Sequence, residues 1–364
     1  MQKVRLGDVC TKGSSNIAQK DLEKKSGIYP IYGASGFIKN VDFYKQENEY
    51  IALVKDGAGV GRVMKCPEKS SVIGTMQYIF PNDNINISFL AYVLEKMDLS
   101  KFCSGATIPH IYFKDYCNQT FLLPSLEQQQ QIVSVLDKIS LLIDKRKKQL
   151  KKLDELVKSR FVEMFGNVVA NDRRWPMAKF GDVTDSRLGK MLDAKKQTGR
   201  NIHKYLANFN VQWFRIDDSE LREMDFDAAD QIEFELKEGD LLVCEGGESG
   251  RCCVWRGQIR DCYYQKALHR VRCNPERLNP DFLAYWFWMN CHHGAFEHII
   301  GAKATIAHLP GVKLKKLDVI LPPLALQREF AAFVEKVDKL ALKAKASLDK
   351  LETLKKAQMQ KYFG

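Results

Sequence analysis

From Ile132 onward, apolar residues fall at Ile132, Leu136, Ile139, Ile143, Leu150, Leu153, Val157 and Met164, and Arg146 and Arg160 complete an unbroken alternation of steps of four and three. Such steps hold one stripe of side chains on one face of a helix, which is a heptad seam. The register recurs at Phe330, Val334, Val337, Ala341, Ala344, Leu348 and Leu351, then weakens at Lys355, Gln358 and Tyr362. Neither stretch holds proline or glycine before the closing Gly166 and Gly364, which are natural helix terminators. Each stretch predicts a helix of about 40 residues, roughly 60 Å long at 1.5 Å per residue. A stripe sustained that far calls for a partner, and two equal rods packed antiparallel on each other satisfy both. That pairing places two globular bodies at opposite ends of a dumbbell with pseudo-twofold symmetry.

The two helices belong to a larger repeat, the first thing to settle in any sequence. Leu122 to Gly166 and Ile320 to Gly364 align without a gap, with 15 of 45 positions identical. Leu and Lys supply several matches by helical composition alone. The informative ones are Pro124 with Pro322, Leu126 with Leu324, Gln129 with Gln327, and Phe165-Gly166 with Phe363-Gly364. Upstream at the same offset, Ala106-Thr107-Ile108-x-His110 matches Ala304-Thr305-Ile306-x-His308. With gaps, Asp56-Gly57-x-x-x-Gly61-Arg62 pairs with Glu245-Gly246-x-x-x-Gly250-Arg251, Phe89-Leu-Ala-Tyr92 with Phe282-Leu-Ala-Tyr285, and Leu6-Gly7-Asp8-Val9 with Phe180-Gly181-Asp182-Val183. Each unit is a variable body followed by a long helix, and the polar stretch Asn167 to Arg174 joins the first helix to the second body.

Within the bodies, short β-like runs such as Tyr50–Val54 and Asp240–Cys244 precede helices around Phe89 to Met97 and Phe282 to Cys291, a mixed α+β pattern. The glycine loop from Gly57 to Arg62 leads into a second strand rather than a helix. The helix N-terminus that would bind phosphate is missing, and the loop reads as a hairpin turn.

A length of 364 residues fits about two domains. No run of about 18 apolar residues is present to span a bilayer, polar residues follow Met1 at once, and a cytoplasmic address is the default expectation. The ten cysteines are scattered without paired zinc spacings and are read as free thiols; Cys291-His292-His293 with His298 is the nearest approach to a metal site, and no metal is expected. A net charge of +11 and a pI near 9.0 favour a polyanionic partner. Lysine is dense from Lys145 to Lys152, flanking the seam, where charged positions commonly govern partner choice.

Catalytic signatures are missing. There is no phosphate-loop Gly-x-x-x-x-Gly-Lys, no Gly-x-Ser-x-Gly, no His-Glu-x-x-His, and no Asn-Pro-Pro-Tyr/Phe of amino-methyltransferases, since Asn274-Pro275 and Asn279-Pro280 continue with acids. The carboxylates from Asp217 to Glu238 read as solvated surface. What remains is two diverged, basic bodies on a rod. Where duplication serves DNA, two readers address two half-sites, and diverged readers should address different ones.

These features together resemble the specificity (S) subunit of type I restriction-modification systems. The resemblance spans essentially the whole chain and rests on Leu123 to Gln129 with its echo at Leu321 to Gln327, Ile31-Tyr-Gly-Ala-Ser-Gly36, the Gly-Ala-Thr-Ile-Pro-His stretch at 105 to 110, and the order of body, helix, body, helix. It implies an α+β chain with two target recognition domains, residues 1–121 and 176–319, helices at 122–166 and 320–364, and a linker at 167–175. The implied role is recognition of a bipartite, asymmetric site in double-stranded DNA. The implied partners are two methyltransferase (M) subunits docked on the helices and, through them, restriction (R) subunits. S-adenosylmethionine, ATP and Mg would serve those partners, with no cofactor and no catalytic residue in this chain. In place of the glutamine run Glu127 to Gln131, the second helix carries Ala325 to Glu329, so equivalence of the two docking surfaces does not follow.

Phosphate contacts give affinity and base contacts give specificity. Candidates on turn-like segments are Lys12, Ser14, Ser15, Tyr32, Ser35, Lys55, Arg62 and His110 in the first body. In the second they are Arg187, Lys190, Arg200, His203, Arg251, Lys266, His269 and Lys303. Two alternatives are a DNA-modifying enzyme half with an unrecognised catalytic centre and a coiled-coil scaffold without DNA function.

Overall fold

The structure, a computed structural model, describes residues 2–105, 108–193, 197–297 and 308–364. The chain divides into two units, Met1–Lys148 with Lys345–Gly364, and Gln149–Ala344.

The first unit runs through β1 (Gln2–Arg5), β2 (Cys10–Ser14), β3 (Tyr29–Gly33), β4 (Gly36–Val41), β5 (Tyr50–Val54), β6 (Val63–Cys66), β7 (Ser71–Val72), β8 (Met76–Pro81), α1 (Ile87–Lys96), α2 (Phe113–Tyr116), β9 (Thr120–Leu123) and the start of α3 (Leu126–Phe165). An antiparallel sheet has the order β2-β8-β5-β6, and a mixed sheet the order β4-β3-β7 with β3 parallel to β7. All five residues of β5 are buried. Successive strand residues point to opposite faces, so Ile51 and Leu53 enter the core shared with α1 and the long helices, while Tyr50, Ala52 and Val54 enter a second core against the mixed sheet. An uninterrupted apolar run is what a strand covered on both faces requires.

The second unit continues with β10 (Met177–Lys179), α4 (Phe180–Val183), β11 (Thr184–Leu188), β12 (Ile202–Leu206), β13 (Val211–Gln212), β14 (Arg215–Ile216), β15 (Arg222–Asp225), α5 (Ala228–Glu233), β16 (Leu241–Cys244), β17 (Cys252–Val254), β18 (Cys262–Tyr264), β19 (Leu268–Cys273), α6 (Pro280–His292), α7 (Gly311–Lys315), β20 (Asp318–Ile320) and α8 (Leu324–Phe363). The topology repeats. The sheet order β11-β19-β16-β17 matches β2-β8-β5-β6, β15-β12-β18 matches β4-β3-β7, and the β10–β20 pair matches β1–β9. Again Leu241 and Val243 enter one core, Leu242 and Cys244 the other. The hairpin β13–β14 and helix α5 have no counterpart among the described elements of the first unit.

Both long helices are 40 residues, as the heptads predict. In the first unit they pair antiparallel: Arg146 donates to Ser347 at 3.2 Å, Lys147 meets Glu352 at 3.1 Å, and Ile132 and Leu136 share a core with Met359. In the second, Arg160 meets Glu329 at 3.0 Å, the rings of Phe161 and Phe330 lie 5.3 Å apart, and Val157 shares a core with Val334 and Val337. Ile139 and Ile143 are buried on the same seam, and Leu150, Leu153, Leu348 and Leu351 are half-buried on it. Gly166 ends α3 at φ +75°, a left-handed cap. The polar linker is a tied corner: Asn167 accepts from Val169 and Ala170 at 3.0 and 3.2 Å, and the Trp175 indole donates to Phe165 O at 3.0 Å.

Candidate nucleic-acid interface

In the first unit three segments converge on the glycine loop between β5 and β6. Gly57, Gly59 and Gly61 all have positive φ, at 87°, 99° and 87°, a region only glycine enters freely. A Cβ on Gly61 would also lie 2.9 Å from the backbone nitrogen of Ser100. From this loop Arg62 donates to Ala34 O at 2.7 Å, bracing the tight turn between β3 and β4. On the other side Gly57 N donates to Pro109 O at 2.9 Å, and Asp56 holds His110 Nδ1 at 2.8 Å.

The second unit builds the same junction from its own residues. Gly250 has φ +88°, and a Cβ there would lie 2.7 Å from Cys291 Sγ. Arg251 donates to Asn208 O at 2.9 Å and pairs with Glu248 at 3.1 Å. Leu309 N donates to Glu245 O at 2.7 Å, closing the third segment onto the loop. The identical Gly-Arg of the two copies is therefore a clamp, in which the arginine fixes a neighbouring loop by its carbonyl.

Tyr32, Ser35, Lys55, Arg62 and His110 thus lie on the segments that meet at the glycine loop. Arg62 and His110 are committed to the junction, and Lys55 pairs with Asp56 at 3.6 Å. Tyr32 is half-buried with its ring edge-on to Phe37, and burial pushes its hydroxyl pKa up. Ser35 is exposed at the turn. Ser15 donates to Val72 O at 2.6 Å and accepts from Ile17 N, so its hydroxyl shapes a turn. Lys12 and Ser14 project exposed from the edge strand β2.

In the second unit Arg187, Lys190 and Lys266 line one groove of about 1040 Å³ with Asp225, Asp230 and Glu233. Arg187 pairs with Glu233, and Lys190 pairs with Asp230 over the Phe226 ring. Those cations are neutralised where they stand. Asp225 accepts N–H groups of Asn201 and Gly199 at 2.8 and 2.7 Å, which hold its carboxyl below the ordinary carboxylate range. This stretch, read as solvated acid from the sequence, is partly interior. His203 lies between Phe226 and Tyr263 and meets Gln231.

His269 is corrected as a base reader. It is 1% exposed, its Nε2 faces Leu309 O at 2.9 Å, and burial pushes its pKa down. Lys303 lies outside the described residues, as do the Ala-Thr matches at 106–107 and 304–305. Among the described candidates, Lys12, Arg200 and Lys266 are exposed cations without an ion pair. Charge-based reading missed Phe37 and Tyr112, exposed rings at the edge of the first junction; an aromatic directly after Ser35-Gly36 in a turn was the available signal.

A second exposed feature runs along the helices. Val135, Leu142 and Leu354 are exposed in the first unit, and Leu340 and Leu156 in the second. Val135 aligns with the half-buried Phe333, Leu142 with Leu340 and Leu156 with Leu354, at intervals of seven and then fourteen residues beside the seam. Among the described residues no helix is long and apolar enough to cross a membrane, and no group of three or more His, Cys, Asp or Glu is placed to hold a metal.

The profile of the family described as type I restriction modification DNA specificity domain matches residues 1–155 and 173–353. A putative type I restriction enzyme specificity subunit of Haemophilus influenzae is 23% identical over 89% of this chain and 85% of its own length. A type I restriction enzyme specificity subunit of Methanocaldococcus jannaschii is 22% identical over 98% of this chain and 90% of its own. In fold, the S subunit of a type I restriction-modification system from M. genitalium superposes with a TM-score of 0.67 at 13% identity, covering 100% of this chain and 96% of that one. A chain from a type I restriction-modification assembly superposes at 0.56 with 16% identity, covering 99% and 97%.

Proposed function

Because this chain belongs to the type I restriction-modification DNA specificity family, whose function is DNA sequence recognition, we propose that each of its two units reads one half of a split, asymmetric DNA site. The observation that carries this is the pairing of an identical scaffold with unlike surfaces. Both units have the same sheet orders and the same arginine clamp. The first presents Lys12, Ser14, Ser35 and Phe37, whereas the second presents Arg200 and Lys266 beside a carboxylate-lined groove that its insertion creates.

The chain acts without a catalytic centre of its own. Methyl transfer from S-adenosylmethionine belongs to two M subunits, and ATP- and Mg-dependent cleavage to R subunits recruited through them. The apolar stripe beside the seam supports this docking. A helix with apolar residues at its seam and on one flanking line has a face wide enough for a further helix. Two of its positions recur in each unit, Leu142 with Leu354 in the first and their aligned Leu340 with Leu156 in the second, which suits two copies of one partner.

The test is to co-express the chain with a type I modification subunit and map adenine methylation by long-read sequencing. A motif with two unlike halves and a fixed gap is expected, and exchanging residues 1–121 should change one half alone. Methylation at an unsplit motif, or none from an intact complex, would overturn the two-reader assignment.

A further inference from the structure

The two units differ at one place beside the helix pair, and the repeat supplies the comparison. In the second unit Phe214, on the hairpin β13–β14, stacks on Tyr285 of α6 with centroids 4.0 Å apart and planes at 13°. Next to it Trp213 packs edge-on to His292 at 5.5 Å, and Lys158 lies 4.7 Å from the ring of Trp288. A segment of the chain itself therefore covers the Tyr285 and His292 side of α6, whose Tyr285 ring in turn lies 5.8 Å from that of Phe161 on α3.

Among the described residues the first unit has no such cover. Tyr92, which aligns with Tyr285, has Lys355 over its ring at 5.6 Å. Glu95 stands where Trp288 stands in the other copy. Between α1 and the helices lies an open groove of about 650 Å³, with Ile143 and Met359 as an apolar floor and Lys96, Lys147, Lys355 and Lys356 on its walls. Three of these lysines are held: Lys147 by Glu352 at 3.1 Å, Lys355 by Glu95 at 3.2 Å, and Lys96 by Gln360 at 2.6 Å. Lys356 is exposed and, among the described residues, has no partner. Its counterpart Lys158 is engaged by Asp154 at 2.7 Å.

We infer that this groove receives an acidic amphipathic helix of the partner subunit, so that the first unit docks its partner through an additional basic site, at the place where the second unit carries Trp288 with its hairpin beside it. The inference rests on the docking reading above. Four lysines against two glutamates give the groove a positive balance, and an apolar floor suits a peptide face better than a phosphate chain. In the second unit Trp288 with Lys158 over its ring stands at the equivalent place, and the hairpin covers the same helix beside it.

The experiment titrates the full chain with a type I modification subunit and counts bound copies by native mass spectrometry. It compares wild type, Lys356→Glu, Lys356→Gln, and Lys350→Glu as an equal charge change elsewhere on α8. Like charges brought together across an interface repel one another strongly. Lys356→Glu is therefore expected to weaken one of the two binding steps by at least about tenfold, leaving one copy bound where wild type holds two. Lys356→Gln should fall between, and Lys350→Glu should match wild type. Thermal melts alike for all four keep folding out of the comparison. Two copies retained by Lys356→Glu would overturn the inference, as would unchanged stoichiometry with lost DNA affinity, which marks a phosphate contact. A wild-type chain that binds no partner would sink the docking reading and this inference with it.

Discussion

Gln129 accepts the backbone N–H of Asn86 at 2.7 Å and donates to the carbonyls of Asn84 and Pro124 at 3.2 and 2.9 Å. Asn86 in turn caps α1, accepting from Ser88 and Phe89. Gln327 repeats the arrangement with Asn279, which caps α6, and with the carbonyls of Arg277 and Pro322. Both glutamines are 0% exposed. One amide side chain thus joins a long helix to the helix of its body, which explains why glutamine survives at this place in both copies.

Gln129→Ala should strand one N–H and two carbonyls and cost about 3 kcal/mol or more, at about 1–3 kcal/mol for each of these orphaned groups. Gln129→Glu should cost more, because a carboxylate would face two carbonyl oxygens with no proton to give. Chemical denaturation of the two variants checks this, and a Glu variant as stable as Ala would contradict the bonding described.

Arg62→Ala should weaken DNA binding by loosening the β3–β4 turn, roughly tenfold or about 1.4 kcal/mol, without changing the salt dependence. Lys12→Ala and Lys266→Ala, which remove exposed cations, should each lower the slope of log K against log salt by about 0.9 if the side chain meets a phosphate. Binding isotherms at several salt concentrations separate the two roles. A reduced slope for Arg62→Ala would show that the arginine itself reaches DNA.

Leu136 is 0% exposed on the seam, and Leu136→Ala should destabilise by about 2–5 kcal/mol. Leu142 is 45% exposed on the flanking stripe, so Leu142→Asp should stay within about 0.5 kcal/mol of wild type while weakening the modification-subunit complex. Paired melts and pull-downs measure both. Normal assembly by Leu142→Asp would remove the stripe from the docking surface.

His269 has a folded pKa below its ordinary value of 6.5, chiefly because burial penalises the cation. Above pH 6.5 the ring is neutral in both states and its contribution to stability is flat with pH. As pH falls below 6.5 the unfolded chain gains a proton that the folded chain refuses, so stability declines until the folded pKa is reached. His269→Gln should remove that part of the decline, as urea titrations along the pH series would show. Parallel decline in both proteins would assign it to other groups.

The lysine-rich run shows how far charge alone can be read. Lys147 meets Glu352 of the other long helix while Lys145 and Lys148 have no ion pair among the described residues, and no local pattern separates them; only the i,i+4 pair Lys151–Glu155 is legible from spacing. Among the DNA candidates, Arg62, Arg251, Lys190 and His269 are all engaged inside the protein. Their partners lie tens of residues away, at Ala34, Asn208, Asp230 and Leu309, and only folding brings them near.

The sequence by itself determined the long helices, their seam, the doubling of one unit and the double-faced strands Tyr50–Val54 and Leu241–Cys244. These depend on periodicity and local backbone preference, which neighbouring residues suffice to express. Tertiary structure alone decided which cations remain free, why Gln129 and Gln327 are kept, and that α6 is covered by Trp213 and Phe214 while a groove beside α1 stays open. Those outcomes depend on pairings between distant segments, where a hydrogen bond or a stacked ring is won by whichever side chain the fold delivers to it.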